Sequence, residues 1–368
     1  MHDDIGQLLW IGFEGASVPD AVRARLAAGR AGATVLFKRN LAFTRDGASG
    51  QEICDLDALA ALIGELHRAA PDALVTVDQE GGLVQRVRAP ATQWPPMLAH
   101  DGLPAGDDER VAESVGRALG DELRALGFDV DFAPVLDVHT NAANPVIGER
   151  AFGRDADTVA RRALAFARGL DAAGVIACGK HFPGHGDTDT DSHLELPRVD
   201  HDWERLERVE LAPFRRAAAA GLPMIMTAHV VFAALDRERP ATLSPAVVDG
   251  LLRGKLGFRG VVVSDDLDMK AIAEHFGADQ AAVAAVRAGC DVLLLCRDPH
   301  NQQLAEEALV REAERDSGFR ARVAEAAARV RELKRVHATK RAALPALGRD
   351  IIGSFEHRRI ADRLAGRT

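Results

Sequence analysis

The sequence has no long hydrophobic run and no leader-like start. No stretch approaches the roughly 18 apolar residues of a membrane-spanning helix, so we expect no membrane span. The first residues, MHDDIGQLLWIGFEG, are acidic, and Gly12 and Glu14 interrupt their short apolar run. A secretory signal begins with basic residues and continues with a longer apolar segment. These absences predict a cytoplasmic protein.

Cysteine is scarce and never occurs as a CxxC pair. The four cysteines, Cys54, Cys178, Cys290 and Cys296, are scattered along the chain. Three of them lie in or beside apolar segments, where a buried free thiol is the usual state. We therefore predict free thiols and a reducing compartment.

Positive charge is also in deficit. Lysine and arginine number 46 against 55 aspartates and glutamates, which gives a net charge of −9 at pH 7. Basic and acidic residues are interspersed, apart from a locally basic tail after Thr339. Nucleic acids and anionic membranes bind surfaces with excess positive charge. The composition therefore argues against both as partners.

What the sequence does contain is eight short apolar runs that alternate with helical patterns. The runs are continuous, as in strands covered on both faces. Three helical segments, 107–126, 155–173 and 269–288, end at a glycine, and a fourth, 244–257, begins with Ser-Pro and ends at Gly257. The apolar runs are LLWIGF (8–13), ATVLFK (33–38), ALVTVD (73–78), DVDFAPVLDV (129–138), GVIACGKHF (174–182), PMIMTAHV (223–230), GVVVSDD (260–266) and DVLLLC (291–296).

Eightfold alternation of strand and helix predicts an α/β protein with a single (β/α)8 or TIM barrel. We assign residues 1–338 to the catalytic barrel and residues 339–368 to a helical extension that packs on it. The alternative is a doubly wound open sheet. It is disfavoured because no GxGxxG motif follows the first strand and no break in composition divides the chain.

Polar motifs follow six of the eight predicted strands. Barrel enzymes build their active sites at the carboxyl ends of the strands. Polar residues that merely end a strand would explain one or two such cases, but explain six poorly, so we expect an active site there. In strand order from the third to the eighth, the motifs are DQEGG, LDVHTN, KHFPGHGD, TAH, SDD and CRDP.

The segment CGKHFPGHGDTDTDSHLELP, residues 178–197, combines ionisable residues with glycine. Its DxDxD spacing is that of an EF-hand calcium loop. Such a loop needs Gly at its sixth position and a bidentate Glu at its twelfth, whereas this segment has Ser192 and Arg198. An arginine would repel the ion, so the sequence argues against calcium.

The histidines of this segment leave three interpretations open. His181, His185 and His193 could supply a zinc site from a loop, although their spacing is not that of a helical HExxH motif. A glycine-rich turn with hydrogen-bonded histidines is the second. In the third, Asp191 and His193 lie on the same side of an extended loop, so the carboxylate orients the imidazole and raises its pKa toward neutrality. That arrangement suits a general acid/base.

Six motifs, in order and spread over nearly the whole chain, resemble those of the β-N-acetylglucosaminidases of glycoside hydrolase family 3. The resemblance implies a retaining hydrolase that removes terminal β-linked N-acetylglucosamine and needs no metal or cofactor. The motifs are DQEGGLVQR (78–86), FAPVLDV (132–138), NPVIGERAFG (144–153), KHFPGHGDTDTDSH (180–193), MTAHV (226–230) and VSDDLDM (263–269).

The resemblance also assigns the catalytic residues. The family's nucleophile is the aspartate after the serine at the end of strand seven, which matches Asp265. Because successive strand residues face opposite ways, we expect only one of Asp265 and Asp266 to reach the barrel mouth, and we choose Asp265. The family's acid/base is a histidine on a loop, held by an aspartate. These positions match His193 and Asp191.

Further residues follow from the same correspondence. We expect Asp137 and His229 to have structural or supporting roles and His185 to make loop hydrogen bonds. Arginine and lysine suit a sugar site because their donors can hold several hydroxyl groups. The expected substrate-binding residues are Asp78, Arg86, Arg150, Lys180 and His181.

The sequence departs from the family at Leu83, a position where members often have arginine. It also has no counterpart of the large second domain that many members carry. Compact members act on cell-wall turnover fragments, so the resemblance implies muropeptide substrates. Three alternatives remain: a phosphorylase, because a neutral histidine does not repel phosphate, a metal-dependent hydrolase, and a non-catalytic sugar-binding barrel.

Overall fold

Eight parallel strands close into a barrel, as the sequence predicts. The computed structural model describes residues 1–45, 47, 50, 52–104, 106–188 and 196–367. Each strand pairs with its neighbours in chain order, and the last pairs with the first, with Leu9 opposite Leu293. The strands are β1 Leu9–Ile11, β2 Ala33–Leu36, β3 Leu74–Val77, β4 Val130–Asp131, β5 Ile176–Phe182, β6 Met224–Thr227, β7 Val261–Asp266 and β8 Val292–Leu295.

Twelve α-helices and one π-helix surround the barrel in the described ranges. Three two-residue or three-residue strand pairs, Phe43–Arg45 with Glu52–Cys54, Gln79–Gly81 with Val84–Gln85, and Arg198–Val199 with Val231–Phe232, lie outside it. The helices are α1 His2–Leu8, α2 Asp20–Ala27, α3 Leu56–Ala69, α4 Asp108–Leu126, α5 Ala156–Ala173, α6 Trp203–Arg208, α7 Leu211–Ala219, the π-helix Ala246–Lys255, α8 Lys270–Ala273, α9 Ala278–Ala288, α10 Pro299–Arg315, α11 Ser317–Ala343 and α12 Phe355–Leu364.

The continuous apolar runs conceal an alternation between two cores. In β7, Val261 and Val263 face the barrel interior, whereas Val262 packs with the helices outside. Inside the barrel, the rings of Trp10 and Phe132 stack with their centroids 6.4 Å apart. Since both faces of every strand are covered, no polar residues are needed between the apolar ones.

The predicted helix ends are confirmed where glycine terminates the helix. Gly127 and Gly174 follow α4 and α5 with φ of 102° and 81°, a conformation that glycine adopts without steric cost. Asp155 caps α5 by accepting a hydrogen bond from Thr158 N at 2.9 Å. The predicted helix 269–288 is wrong as one element, because it divides into α8 and α9. Gly277 occupies the position before α9, in an extended conformation.

Helix α11 closes the amino-terminal end of the barrel. Val330 enters the barrel interior, where it is fully buried. Asp291, at the start of β8, is also fully buried and binds Arg322 and Arg329 of α11 at 2.7 and 3.1 Å. Apolar contact and charge pairing together hold α11 across the strand ends.

The carboxyl-terminal region packs on the outside of the barrel. His357 of α12 contacts Glu122 of α4 through Nδ1 and Oε1, 2.9 Å apart. The predicted division of the chain after residue 338 falls within α11, which is a single continuous helix. That division stays a prediction. In the described part of the chain, no helix combines the length and apolarity that crossing a membrane requires.

Candidate active site

The predicted sugar-binding residues surround one cavity at the carboxyl ends of the strands. Its volume is about 140 Å³. Asp78 directly follows β3, Lys180 and His181 lie in β5, and Asp265 lies in β7. Parallel barrel strands all end on the same side, which is why residues far apart in the chain meet here. Two more residues from connecting segments, Arg86 and Arg150, complete the predicted set.

A buried network of charges forms the floor of the cavity. Lys180 Nζ lies 2.7 Å from Asp78 Oδ1 and 2.6 Å from Glu80 Oε1. Arg150 holds both oxygens of Glu80 through Nε and Nη2, each at 2.8 Å. Arg86 Nη2 lies 3.7 Å from Asp78 Oδ2. Cations and carboxylates therefore alternate across the floor, each fixed by its neighbours.

Glu80 and Lys180 stay charged at neutral pH. Burial of Glu80 opposes its ionisation, but Arg150 and Lys180 outweigh burial and hold the pKa of this carboxyl far below its ordinary value. Burial likewise disfavours the Lys180 ammonium, yet Asp78 and Glu80 raise its pKa. Because the cluster is fixed in geometry and charge, it presents preorganised donors and acceptors to a polar ligand such as a sugar.

Asp137 orients His181, a supporting role consistent with our expectation for this carboxylate. The distance between His181 Nδ1 and Asp137 Oδ2 is 2.6 Å, and His185 N donates to Asp137 Oδ1 at 2.7 Å. Asp137 is fully buried, but the neighbouring His181 lowers its pKa despite burial. The carboxylate thus fixes both the imidazole of His181 and the backbone of the loop after β5.

His185 belongs to the loop framework. Its Nδ1 lies 2.8 Å from Thr188 Oγ1, and burial, followed by the charge of His181, lowers its pKa to about 4. Asn144 donates its amide to His185 O at 2.9 Å. A neutral, hydrogen-bonded imidazole is what the turn interpretation predicts for His185.

Both aspartates at the end of β7 line the cavity, so the expectation that only one would reach the barrel mouth is wrong. The pairing register between β7 and β8 shifts between Val263 and Asp266, which interrupts the strict alternation of strand side chains. Asp265 is partly exposed and its Oδ1 accepts a hydrogen bond from Asp266 N at 2.8 Å. Asp265 is therefore the more accessible carboxylate of the two.

Asp266 is more deeply buried than its neighbour Asp265. Its Oδ1 accepts hydrogen bonds from the backbone N–H groups of Asp268 and Cys296, both at 3.1 Å. Burial, with the nearby charge of Asp268, raises the pKa of Asp266 to about 7. Such a group is partly protonated at neutrality and is poorly suited to act as a nucleophile.

His229 is buried beside the end of β7 and contacts the backbone of Asp266. Its Nδ1 lies 2.9 Å from Thr242 Oγ1, and its Nε2 lies 3.0 Å from the carbonyl oxygen of Asp266. Both contacts are buried. His229 therefore has the supporting position that we expect from the sequence.

The predicted acid/base pair, Asp191 and His193, lies outside the described residues. The chain leading to it is fixed on the rim: Asp187 accepts a hydrogen bond from Thr140 Oγ1 at 2.8 Å and pairs with His201.

Sequence reasoning missed Glu80 and Asp131. Glu80 belongs to the DQEGG motif, but its link to Lys180 and Arg150 depends on pairing between distant segments. Asp131 is fully buried beneath the DQE turn, where Oδ1 accepts from Gln79 N at 2.9 Å and burial raises its pKa well above the ordinary value. The signal for Asp131 is a charged residue within an apolar strand run.

The described residues contain no group of three or more histidines, cysteines or carboxylates suited to a metal ion. The rings of His181 and His185 lie edge to face with centroids 5.9 Å apart. Each already uses its Nδ1 in a contact with the protein. The third predicted zinc ligand, His193, lies outside the described part of the chain, so the zinc set stays a prediction.

Comparisons with known proteins identify the family of this chain. The profile of the glycosyl hydrolase family 3 N-terminal domain matches residues 1–333. A β-hexosaminidase from Alkalilimnicola ehrlichii is 42% identical over 295 residues, which are 79% of this chain and 81% of that protein. A family 3 β-N-acetylglucosaminidase from Paenibacillus sp. str. FPU-7 is 39% identical, with a TM-score of 0.89 over 100% of this chain and 68% of its own.

A smaller solved relative matches at nearly full length. NagZ from Neisseria gonorrhoeae, in complex with N-trifluoroacetyl-D-glucosamine, is 31% identical, with a TM-score of 0.79 over 98% of this chain and 97% of its own. Fold, rim geometry and similarity over most of the length all agree. The chain belongs to glycosyl hydrolase family 3 and is a glycosidase.

Proposed function

We propose that this glycosidase is a retaining β-N-acetylglucosaminidase that removes terminal, non-reducing β-linked N-acetylglucosamine from cell-wall muropeptide fragments. The observation that carries the proposal is the position of Asp265, whose accessible carboxylate faces the same cavity as the Asp78, Lys180 and Arg150 network. The relatives named as β-hexosaminidases support the choice of sugar. The muropeptide part rests on resemblance to compact family members.

In the proposed reaction, the charged floor holds the sugar while Asp265 attacks the anomeric carbon. His193, oriented by Asp191, donates a proton to the leaving oxygen, and a covalent glycosyl–Asp265 intermediate forms. The neutral His193 then accepts a proton from water, which releases the sugar with retained configuration. The donors of Lys180, Arg150 and Arg86 provide the hydrogen bonds that fix the ring during both steps.

A hexosaminidase should distinguish the acetamido sugar from plain glucose. We expect release of 4-nitrophenol from 4-nitrophenyl N-acetyl-β-glucosaminide in phosphate-free buffer with chelator, and little release from the β-glucoside. Turnover that appears only with phosphate would identify a phosphorylase. Turnover that is lost in chelator would identify a metal-dependent hydrolase. Binding without turnover in any buffer would leave a sugar-binding barrel.

The covalent intermediate can be captured separately. A 5-fluoro glycosyl fluoride of N-acetylglucosamine should inactivate the enzyme and leave one sugar on the peptide that contains Asp265. A matched variant, Asp266→Asn, should still be labelled, whereas Asp265→Asn should not. Label on any other carboxylate would contradict the assignment of Asp265 as the nucleophile.

A further inference from the structure

A second, larger cavity lies at the amino-terminal end of the barrel, opposite the candidate active site. Its volume is about 630 Å³, within the usual range of small-molecule sites. Residues just before β1, β3 and β4, including Gln7, Asp72 and Asp129, form one side. One face of α11 forms the other. Nothing in the proposed glycosidase reaction uses this cavity.

The α11 face that lines this cavity is strongly basic. Arg331, Lys334, Arg335 and Arg341 fall at steps of three, one and six residues, which places them on the same side of the helix. Opposite them, Pro71, Ala73 and Leu74 form an apolar wall that also carries the carboxylate of Asp72. The cavity therefore combines a cationic side with a largely apolar one.

Lys334 is the residue that this arrangement leaves without an anion. Its Nζ donates to the neutral oxygen Gln7 Oε1 at 2.7 Å. Among the described residues it forms no ion pair with a carboxylate, unlike Lys180, which has two. Burial lowers the pKa of Lys334 to about 8, against the weaker attraction of Asp72. A partly buried ammonium without a counter-ion is unfavourable.

The three neighbouring arginines keep donors available although each has a carboxylate partner. Arg331 binds Asp4 through Nη2 at 2.7 Å, and Arg341 binds Asp129 through Nη1 at 2.6 Å. Arg341 also donates to Phe128 O through Nη1 and to Arg124 O through Nη2, but a guanidinium has five N–H donors, so donors remain for a ligand. Cations near the carboxyl terminus of a helix are stabilised by the helix dipole, but only within the last turn. Lys334 lies more than two turns before the end of α11, so the helix dipole does not stabilise its charge.

We propose that this cavity is a binding site for a small phosphorylated molecule. Its phosphate contacts Lys334 and the neighbouring arginine donors, and its less polar part lies against the Pro71–Leu74 wall. The volume exceeds the space that inorganic phosphate alone would fill. A mononucleotide or a sugar phosphate has the combination of charge and size that both walls require.

Thermal unfolding of the full chain with AMP, pyrophosphate and inorganic phosphate tests this proposal and separates the possible sources of the phosphate group. A ligand present at 100 times its Kd should raise the Tm by about 3–4 °C. We expect AMP to act at lower concentration than pyrophosphate or phosphate. Equal potency of inorganic phosphate would overturn the role of the apolar wall, and no shift with any probe would overturn the site.

Two substitutions in α11 show whether the rise in Tm depends on this cavity. Lys334→Met should abolish the rise in Tm that AMP causes. Lys340→Met removes a lysine that is paired with Asp171 and does not line this cavity, so the shift should remain. An unchanged shift in Lys334→Met would overturn the proposal, because the anion would then bind without Lys334. Competition by saturating N-acetylglucosamine would also overturn it, because the anion would then bind in the candidate active site.

Chemical labelling provides a test that does not depend on how Lys334→Met folds. Pyridoxal 5′-phosphate is both a phosphate and an aldehyde, so the Lys334 amine should attack its carbonyl carbon, lose one water and form a Schiff base. After borohydride reduction, peptide mapping should find the label on Lys334, with at least tenfold less label when AMP is present. If AMP did not reduce the label on Lys334, or if the label were distributed evenly over surface lysines, the result would contradict the proposal.

Discussion

Lys180 is the residue on which the charged floor of the active site depends. It is almost fully buried and contacts two carboxylates, so Lys180→Met would leave Asp78 and Glu80 without their shared cation. Removal of one partner of a buried ion pair costs about 3–5 kcal/mol. We therefore expect the free energy of unfolding to fall by that amount in urea titrations, together with loss of activity.

A second, exposed lysine shows whether the loss of stability in Lys180→Met comes from burial of the ion pairs or from removal of a charge alone. Lys38 pairs with Glu52 at 2.6 Å, but its side chain is 49% exposed. Lys38→Met should change the free energy of unfolding by less than about 1 kcal/mol. Equal losses in the two variants would show that the buried network has no special role in stability.

Asp266 should make stability depend on pH. In the unfolded chain an aspartate titrates near 3.9, whereas burial raises the pKa of Asp266 to about 7 in the native state. Between these values the native state binds the extra proton, so its stability falls as pH rises from about 4 to 7. The difference of about three pKa units corresponds to a contribution on the order of 4 kcal/mol.

The variant Asp266→Asn keeps an acceptor for the two backbone N–H groups but cannot titrate. Its free energy of unfolding should therefore rise relative to the wild type as pH increases through this window, by up to about 4 kcal/mol. Denaturant titrations at pH 4, 5.5, 7 and 8 measure the difference. A difference that is constant with pH would mean that the pKa of Asp266 is the same in the native and unfolded states.

The proposed acid, His193, predicts a dependence on the leaving group. Loss of a general acid typically reduces the rate about 10²–10⁴-fold, and poor leaving groups need the proton most. His193→Ala should show the full loss with a natural disaccharide and a much smaller loss with 4-nitrophenyl glycoside. His275→Gln, at an exposed histidine, should lose nothing. Equal losses on both substrates in His193→Ala would argue against a proton-donating role.

At the scale of elements, α11 covers the amino-terminal end of the barrel. Two of its valines, one buried and one exposed, test how much this packing contributes to stability. Val330 is fully buried in the barrel interior, whereas Val336, six residues further along the same helix, is 50% exposed. Val330→Ala should lower the free energy of unfolding by about 2 kcal/mol, from lost burial and the cavity left behind.

Val336→Ala should be neutral or slightly stabilising, because alanine has the higher helix propensity. Thermal and denaturant unfolding of the two variants checks the contrast. If both substitutions had the same effect, Val330 would not be part of the barrel core, and α11 would be held by its ion pairs alone.

At the scale of the whole molecule, the sequence predicts the barrel well because each strand is covered on both faces. The apolar runs around Val262 and Leu293 are continuous for that reason, and parallel topology then places the residues that follow the strands on one rim. Parallel topology therefore predicts that Asp78, Lys180 and Asp265 lie in one cavity, although it does not predict their contacts.

What the sequence could not predict depends on register and on contacts between distant segments. The shift between β7 and β8 brings both Asp265 and Asp266 to the cavity, although strand alternation allows only one. The contacts of Glu80 with Lys180 and Arg150 join three separate segments. The division between α8 and α9 at Gly277 interrupts an apolar pattern that is helical on either side, so periodicity alone does not reveal it.

The filled interior of the barrel also has a consequence for the order of events during turnover. Trp10, Phe132 and Val330 occupy the space between the strands, and α11 covers the far end, so no passage runs through the described barrel from one end to the other. Substrate, leaving group and water must therefore share the opening at the rim. In the proposed mechanism with a glycosyl–Asp265 intermediate, the first product leaves through this opening before the acceptor enters, so we expect ping-pong kinetics. The same mechanism predicts that a small alcohol entering in place of water is glycosylated.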